Sequence, residues 1–164
     1  MEPTAATTAA KPRQPRKLHR FDVEARLSLV KGACVTEDAS SLDCPAKIAS
    51  MLRGLIGAKP KEHFVLVALN ARSRPIGIVT VSIGTLSASL VHPREVFGPA
   101  ILLNAAAVVV SHNHPSGDVE PSAEDRDATR RLVRAGELLG ITVLDHVIVG
   151  DTEKYASFKE RGLL

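Results

Sequence analysis

From Ser41 onward the apolar positions of this chain switch repeatedly between helical and extended spacing. Ser41-Leu42-Asp43-Cys44-Pro45 reads as a helix start with a proline near the first helical position. AKIASMLRGLIG continues it at helical spacing to Gly57, with Pro60 beyond. HFVLVALN and IGIVTVSIG are short, apolar and rich in β-branched residues, and the ARSRP between them has the length of a hairpin turn, which predicts two adjacent strands. Pro93 opens a further helix, REVFGPAILLN, which the Gly98-Pro99 pair is expected to kink or shorten. The apolar run ILLNAAAVVV becomes β-branched at its end, so AAVVVSH is predicted as a buried strand. A long helix from Ser122 to Leu139 follows, stopped by Gly140, and ITVLDHVIV forms a last strand. Strands alternating with helices predict an α/β sandwich, a mixed β-sheet flanked by helices. No internal repeat is visible.

Composition narrows this picture. A chain of 164 residues with 45% hydrophobic content can bury one substantial core. Trp is absent and aromatic residues make up only 3%, so that core has to be aliphatic. No run approaches the roughly 18 apolar residues of a membrane span, and the N-terminus lacks the apolar stretch of a secretory signal. Two cysteines, Cys34 and Cys44, make no disulfide framework; they read as small apolar residues, and a cytoplasmic location is expected.

The net charge of +3 is not spread evenly. Lys11, Arg13, Arg16, Lys17 and Arg20 stand against Glu2 alone, so residues 1–20 hold all of the positive excess and the rest of the chain is slightly acidic. The tail is rich in Ala, Thr and Pro without apolar periodicity, which predicts a disordered basic arm over 1–20. Such an arm can touch nucleic acid or an acidic partner, or serve only as a solubilising terminus. It has no aromatic residue before Phe21 on which bases could stack.

The chemistry concentrates in SHNHPSGDVEPSAED. His112 and His114 are two apart at the end of a predicted strand, so they point to one side. Asp125 follows eleven residues later, across a Pro/Gly/Ser loop and just inside the next helix. Two imidazoles and a carboxylate converging there can bind zinc with one coordination position left for water, the ligand count of a catalytic site. Ser122 reads as the N-cap of that helix with Asp125 at the third position, a capping box. A rigid helix start and a metal ligand are compatible roles. Other zinc chemistries fail: there is no H-E-x-x-H, and no P-C-x-x-C follows the histidines. The letters HNH match a nuclease name by spelling only.

HNHPSGDVEPSAED fits, without a gap, the H-x-H-P-x6-S-x2-D pattern of the JAMM (MPN-plus) metalloproteases. With EHFVLVALN, GTLSASLVHPREVF, LDHVIVG and YASFKERGLL in order, the chain resembles the RadC-like branch of that family, over nearly everything from about Val35 to Leu164. The resemblance implies a JAB/MPN-like, cytidine-deaminase-like domain over residues 35–164. It implies Zn2+ held by His112, His114 and Asp125, and hydrolysis of peptide or isopeptide bonds in a protein substrate. It also places a glutamate just before an early strand to take the proton from zinc-bound water, and Glu62 in KEHFVLVALN matches; Glu95 in HPREVF is the rival, although a carboxylate in a first helical turn is also favoured by the helix dipole. Ser122 would help to hold the oxyanion of the tetrahedral intermediate.

The remaining histidines read otherwise. His146 is a core histidine or one that supports a ligand, His92 is structural at a helix entry, His63 faces away from the site, and His19 belongs to the tail. The alternative function is a non-enzymatic RadC-like module that acts through partners or DNA in repair. RadC-like chains often carry a helix-hairpin-helix segment ahead of this domain, and residues 1–34 have no room for one, so the resemblance lends that alternative little weight.

Overall fold

The computed structural model describes residues 44–84 and 91–164. The basic tail, His19, Cys34, the expected domain start near Val35, the helix-start residues Ser41 to Asp43 and positions 85–90 lie outside the described residues.

Strand alternation decides how the layers form. Successive side chains of β1 (His63–Leu69) point to opposite faces. Phe64, Leu66 and Ala68 enter one apolar cluster; Val65, Val67 and Leu69 enter another. The first cluster is completed by Val96, Phe97 and Ala100 of α2 (Pro93–Leu102) and Leu132 of α3 (Ala123–Leu139). The second is completed by Ile48, Ala49, Met51 and Leu52 of α1 (Pro45–Leu52). The sheet is therefore sandwiched between α1 and the α2–α3 pair. Each Val, Leu or Phe buried this way contributes roughly 1.5–3 kcal/mol.

The five strands run in the order β2 (Pro75–Ile83), β1, β3 (Ala107–Asn113), β4 (Thr142–Val149), β5 (Tyr155–Ser157). The β3–β4 pair is parallel and the other pairs are antiparallel, so the sheet is mixed, with α3 as the crossover between the parallel strands. β5 has no counterpart among the strands expected from the sequence; three residues are too few to show a period.

Local chemistry explains most boundaries. Pro45 occupies the first turn of α1, and the last turn of the expected helix widens into a π-helical turn over Arg53–Gly57. His92 caps α2, its Nδ1 accepting from the Arg94 amide at 3.3 Å, as a structural role requires. Pro99 does not stop α2, which runs on to Leu102 and ends two residues before Asn104. Gly140 closes α3 at φ 70°, a left-handed conformation that favours glycine.

One irregularity matters for the site. Val108 pairs with Val143 but Val109 pairs with Asp145, so Leu144 is an extra residue in β4. A one-residue slip turns every following side chain to the other face. It brings His146 to the α3 side, where regular alternation from Val143 would have aimed it at α1.

Candidate metal centre

β3 delivers the first ligand candidate by the same alternation. Val108 and Val110 pack under α2 and α3, so His112 follows them to that side, fully buried. Asn113 takes the opposite side. His114 lies just beyond the strand, in a turn closed by the Gly117 amide donating to the His114 carbonyl at 2.9 Å. α3 then starts with the expected capping box: Ser122 Oγ accepts from the Asp125 amide at 3.1 Å, and Asp125 Oδ2 accepts from the Ser122 amide at 2.8 Å.

These elements bring Glu62, His112, His114 and Asp125 together, with one potential ligand atom of each within 4.8 Å of the others. The Nε2 atoms of His112 and His114 stand 2.9 Å apart. Asp125 Oδ1 is 3.3 Å from His112 Nε2, Asp125 Oδ2 is 3.6 Å from His114 Nε2, and Glu62 Oε1 is 3.8 Å from His112 Nε2. Glu95 is elsewhere, exposed and paired with Arg94. His63 turns away, its Nδ1 against the Lys61 carbonyl.

The far nitrogen of each ring is occupied. His114 Nδ1 lies 2.7 Å from the Asp118 carbonyl, which only accepts, so Nδ1 carries a proton and Nε2 is the atom turned to the cluster. His112 Nδ1 lies 2.8 Å from His146 Nε2. Burial first, and then His146, lower the His112 pKa well below its ordinary value, so this ring is neutral near pH 7. The His146 pKa is lowered to about 4, chiefly by burial. Burial works to raise the Asp125 carboxyl, but hydrogen bonds with His114 and Ser122 prevail and hold it well below the usual carboxylate range. The reciprocal bond with Asp125 is the main cause of the raised His114 pKa.

That donor set fits a divalent metal. Two imidazole nitrogens and an ionised carboxylate face one point, where a cation between them would satisfy all three. Two nitrogens and one oxygen from the protein, with a further carboxylate alongside, match the donor preference of zinc.

Ser122 takes its expected place as the N-cap of α3. Its hydroxyl donates to Asp125 Oδ2 at 2.6 Å, so it fixes the carboxylate, and serving an oxyanion requires this bond to open. Two residues that carried no sequence signal complete the surroundings. Thr129, one helical turn after Asp125, reaches His146, and Asn113 holds the segment that bears Glu62.

Comparison with known proteins agrees with this geometry. Residues 42–163 match the RadC-like JAB domain. The chain belongs to the RadC-like JAB domain family. It is 57% identical over 123 residues to a UPF0758 protein of Rubrobacter xylanophilus, covering 75% of this chain and 53% of that protein. It is 59% identical over 103 residues to one of Symbiobacterium thermophilum, covering 63% and 44%. A UPF0758 protein of Desulforamulus reducens is 42% identical over 144 residues, covering 87% and 63%. The chain thus spans about half the length of the curated relatives it matches. The α/β sandwich with its mixed five-stranded sheet is the JAB/MPN-like fold of this family. Among the described residues no helix is long and apolar enough to cross a membrane.

Proposed function

We propose that this RadC-like JAB domain is a zinc-dependent hydrolase of peptide or isopeptide bonds in protein substrates. The observation that carries the reading is the pair of imidazole Nε2 atoms 2.9 Å apart beside the Asp125 carboxylate, with a second carboxylate, Glu62, in reach of the same point.

His112, His114 and Asp125 would hold the metal. When bound, zinc supplies a Lewis acid and a water whose pKa falls to about 7. Glu62, half-buried at the mouth of β1, would take a proton from water at this point and return it to the leaving amine. Asp125 is kept ionised and oriented by Ser122. If the Ser122 hydroxyl turns away from Asp125, it can donate to a developing oxyanion. The RadC-like alternative is a partner- or DNA-associated module that keeps the fold and acts by binding. DNA binding that resists salt and survives deletion of residues 1–20 would support it, whereas binding that falls steeply with salt and vanishes on deletion belongs to an electrostatic arm alone.

The test is metal analysis of the purified protein, wild type and His114→Ala, with an unbiased peptide and isopeptide cleavage screen. One zinc per chain in the wild type, and loss of stoichiometric zinc in the variant, are expected. Equimolar zinc in H114A refutes the ligand assignment; a metal-loaded protein that cleaves nothing refutes the hydrolase.

A further inference from the structure

A buried chain of hydrogen bonds runs from α3 through β4 to the metal-facing ring. The Thr129 hydroxyl lies 2.6 Å from the Asp125 carbonyl oxygen and 2.6 Å from His146 Nδ1. His146 Nε2 lies 2.8 Å from His112 Nδ1. Thr129, His146 and His112 are all fully buried, so the chain has no need of water to complete it.

Proton counting gives this chain one direction. A carbonyl oxygen accepts only, so the single hydroxyl proton of Thr129 goes to Asp125 O. Thr129 Oγ1 is then the acceptor toward His146, whose proton must be on Nδ1. A neutral imidazole with its proton on Nδ1 has a bare Nε2, which accepts from His112 Nδ1–H. His112 is left with a bare Nε2, the atom facing His114 and Asp125. If the chain ran the other way, Thr129 would donate to His146, His146 to His112, and the His112 proton would sit on Nε2, where it blocks a metal. That direction also sets two oxygens, Thr129 Oγ1 and Asp125 O, 2.6 Å apart with no proton between them.

We infer that Thr129 and His146 are positioning residues that lock His112 in its metal-binding tautomer, with the carbonyl of Asp125 as the anchor that sets the direction. The helix turn that supplies one ligand through its side chain thus selects the tautomer of another through its backbone. The ring stack supports the same geometry: Phe158 lies on His146 with centroids 4.6 Å apart and an interplanar angle of 18°, so the His146 ring is held in the plane the chain needs. The inference rests on the metal-centre reading above and extends it beyond the ligands.

The test uses the full chain, metal-free and 15N-labelled at histidine, and reads each ring's tautomer from two-bond 1H–15N correlation spectra. His112 and His146 are both expected as Nδ1–H. Thr129→Val, equal in size but without the hydroxyl, leaves His146 Nδ1 without an acceptor. In it His146 is expected to convert to Nε2–H, and cobalt(II) affinity, measured against a competing chelator, to fall about 10–100-fold. Thr129→Ser, which keeps the hydroxyl, is expected to hold both readouts at wild-type values; a purely structural role for Thr129 would not separate the two variants this way. His146 as Nε2–H in the wild type overturns the inference, even if T129V does not fold. So does wild-type cobalt affinity in a folded T129V. A wild type that shows the expected tautomers but binds neither cobalt nor zinc overturns the metal reading alone.

Discussion

Asn113 holds the backbone amide of His63 at 2.8 Å from the face of β3 opposite the metal cluster. Its amide nitrogen donates to the Lys59 and Lys61 carbonyls, each at 3.2 Å, so one side chain grips both sides of Glu62. The residue between the two histidines therefore sets the height of the carboxylate above them. In Asn113→Ala, the His63 amide and the Lys59 and Lys61 carbonyls lose the bonds this side chain makes, at a cost of roughly 1–3 kcal/mol. Urea denaturation is expected to show that loss with zinc stoichiometry unchanged, while turnover drops because Glu62 is no longer held. Loss of zinc in N113A would show that Asn113 supports the ligands and not the base.

Glu62 and Glu95 separate by substitution. Glu62→Gln keeps size and hydrogen bonding but cannot take a proton, so hydrolysis is expected to fall by about 10²–10⁴-fold with zinc retained. Glu95→Gln is expected to leave turnover near wild type and to cost a few tenths of a kcal/mol, the typical worth of an exposed charge in a first helical turn. Zinc loss in E62Q would make Glu62 a fourth ligand and the site a closed one.

In the metal-free protein, stability is expected to fall as pH drops from 6.5 toward 4. His146 titrates at about 4 in the fold, because burial opposes its charge, against 6.5 when exposed. Between those values the unfolded chain binds a proton that the native state refuses, and stability rises with pH wherever the unfolded state binds more protons. The full loss from His146 is roughly 3 kcal/mol, complete below about pH 4. His112 is shifted in the same direction. His114 is shifted upward and acts in the opposite sense, its contribution fading as pH rises above 6.5. Urea midpoints across pH 4–7 with a chelator present check this. A flat acid limb would contradict it.

Gly136 is a packing position. A Cβ there would run into the Ile141 carbonyl oxygen and lie 3.2 Å from Phe97 Cζ, where α3 crosses the start of β4. A backbone oxygen cannot swing aside, so Gly136→Ala is expected to destabilise by roughly 1–3 kcal/mol. Gly54, with open space around its α-carbon, is the control: G54A is expected to leave the midpoint unchanged or to raise it slightly.

Much of this architecture was legible in local pattern. The valine run before His112, the helix spacing after Ser122 and the capping box at Asp125 depend on residues a few positions apart, and short-range backbone chemistry realises them directly. The spacing of His112, His114 and Asp125 likewise needs only a strand end, a loop and a helix start to be understood as a possible metal set. What tertiary structure decided is everything that depends on partners distant in sequence. Glu62 meets His112 because β1 and β3 pair antiparallel with Phe64 opposite His112, and no local signal specifies that register. His146 reaches His112 because Leu144 is extra in β4, and a bulge depends on how two strands match, not on either strand alone. Thr129 had no motif to mark it; its role exists only because the crossover packs α3 over the strand that carries His146. The sequence by itself determined which chemical groups are present and which backbone elements carry them. The pairing of β1, β3 and β4 decided which of those groups share one small volume, because register and bulges are set by the mutual fit of whole strands and the helix laid across them.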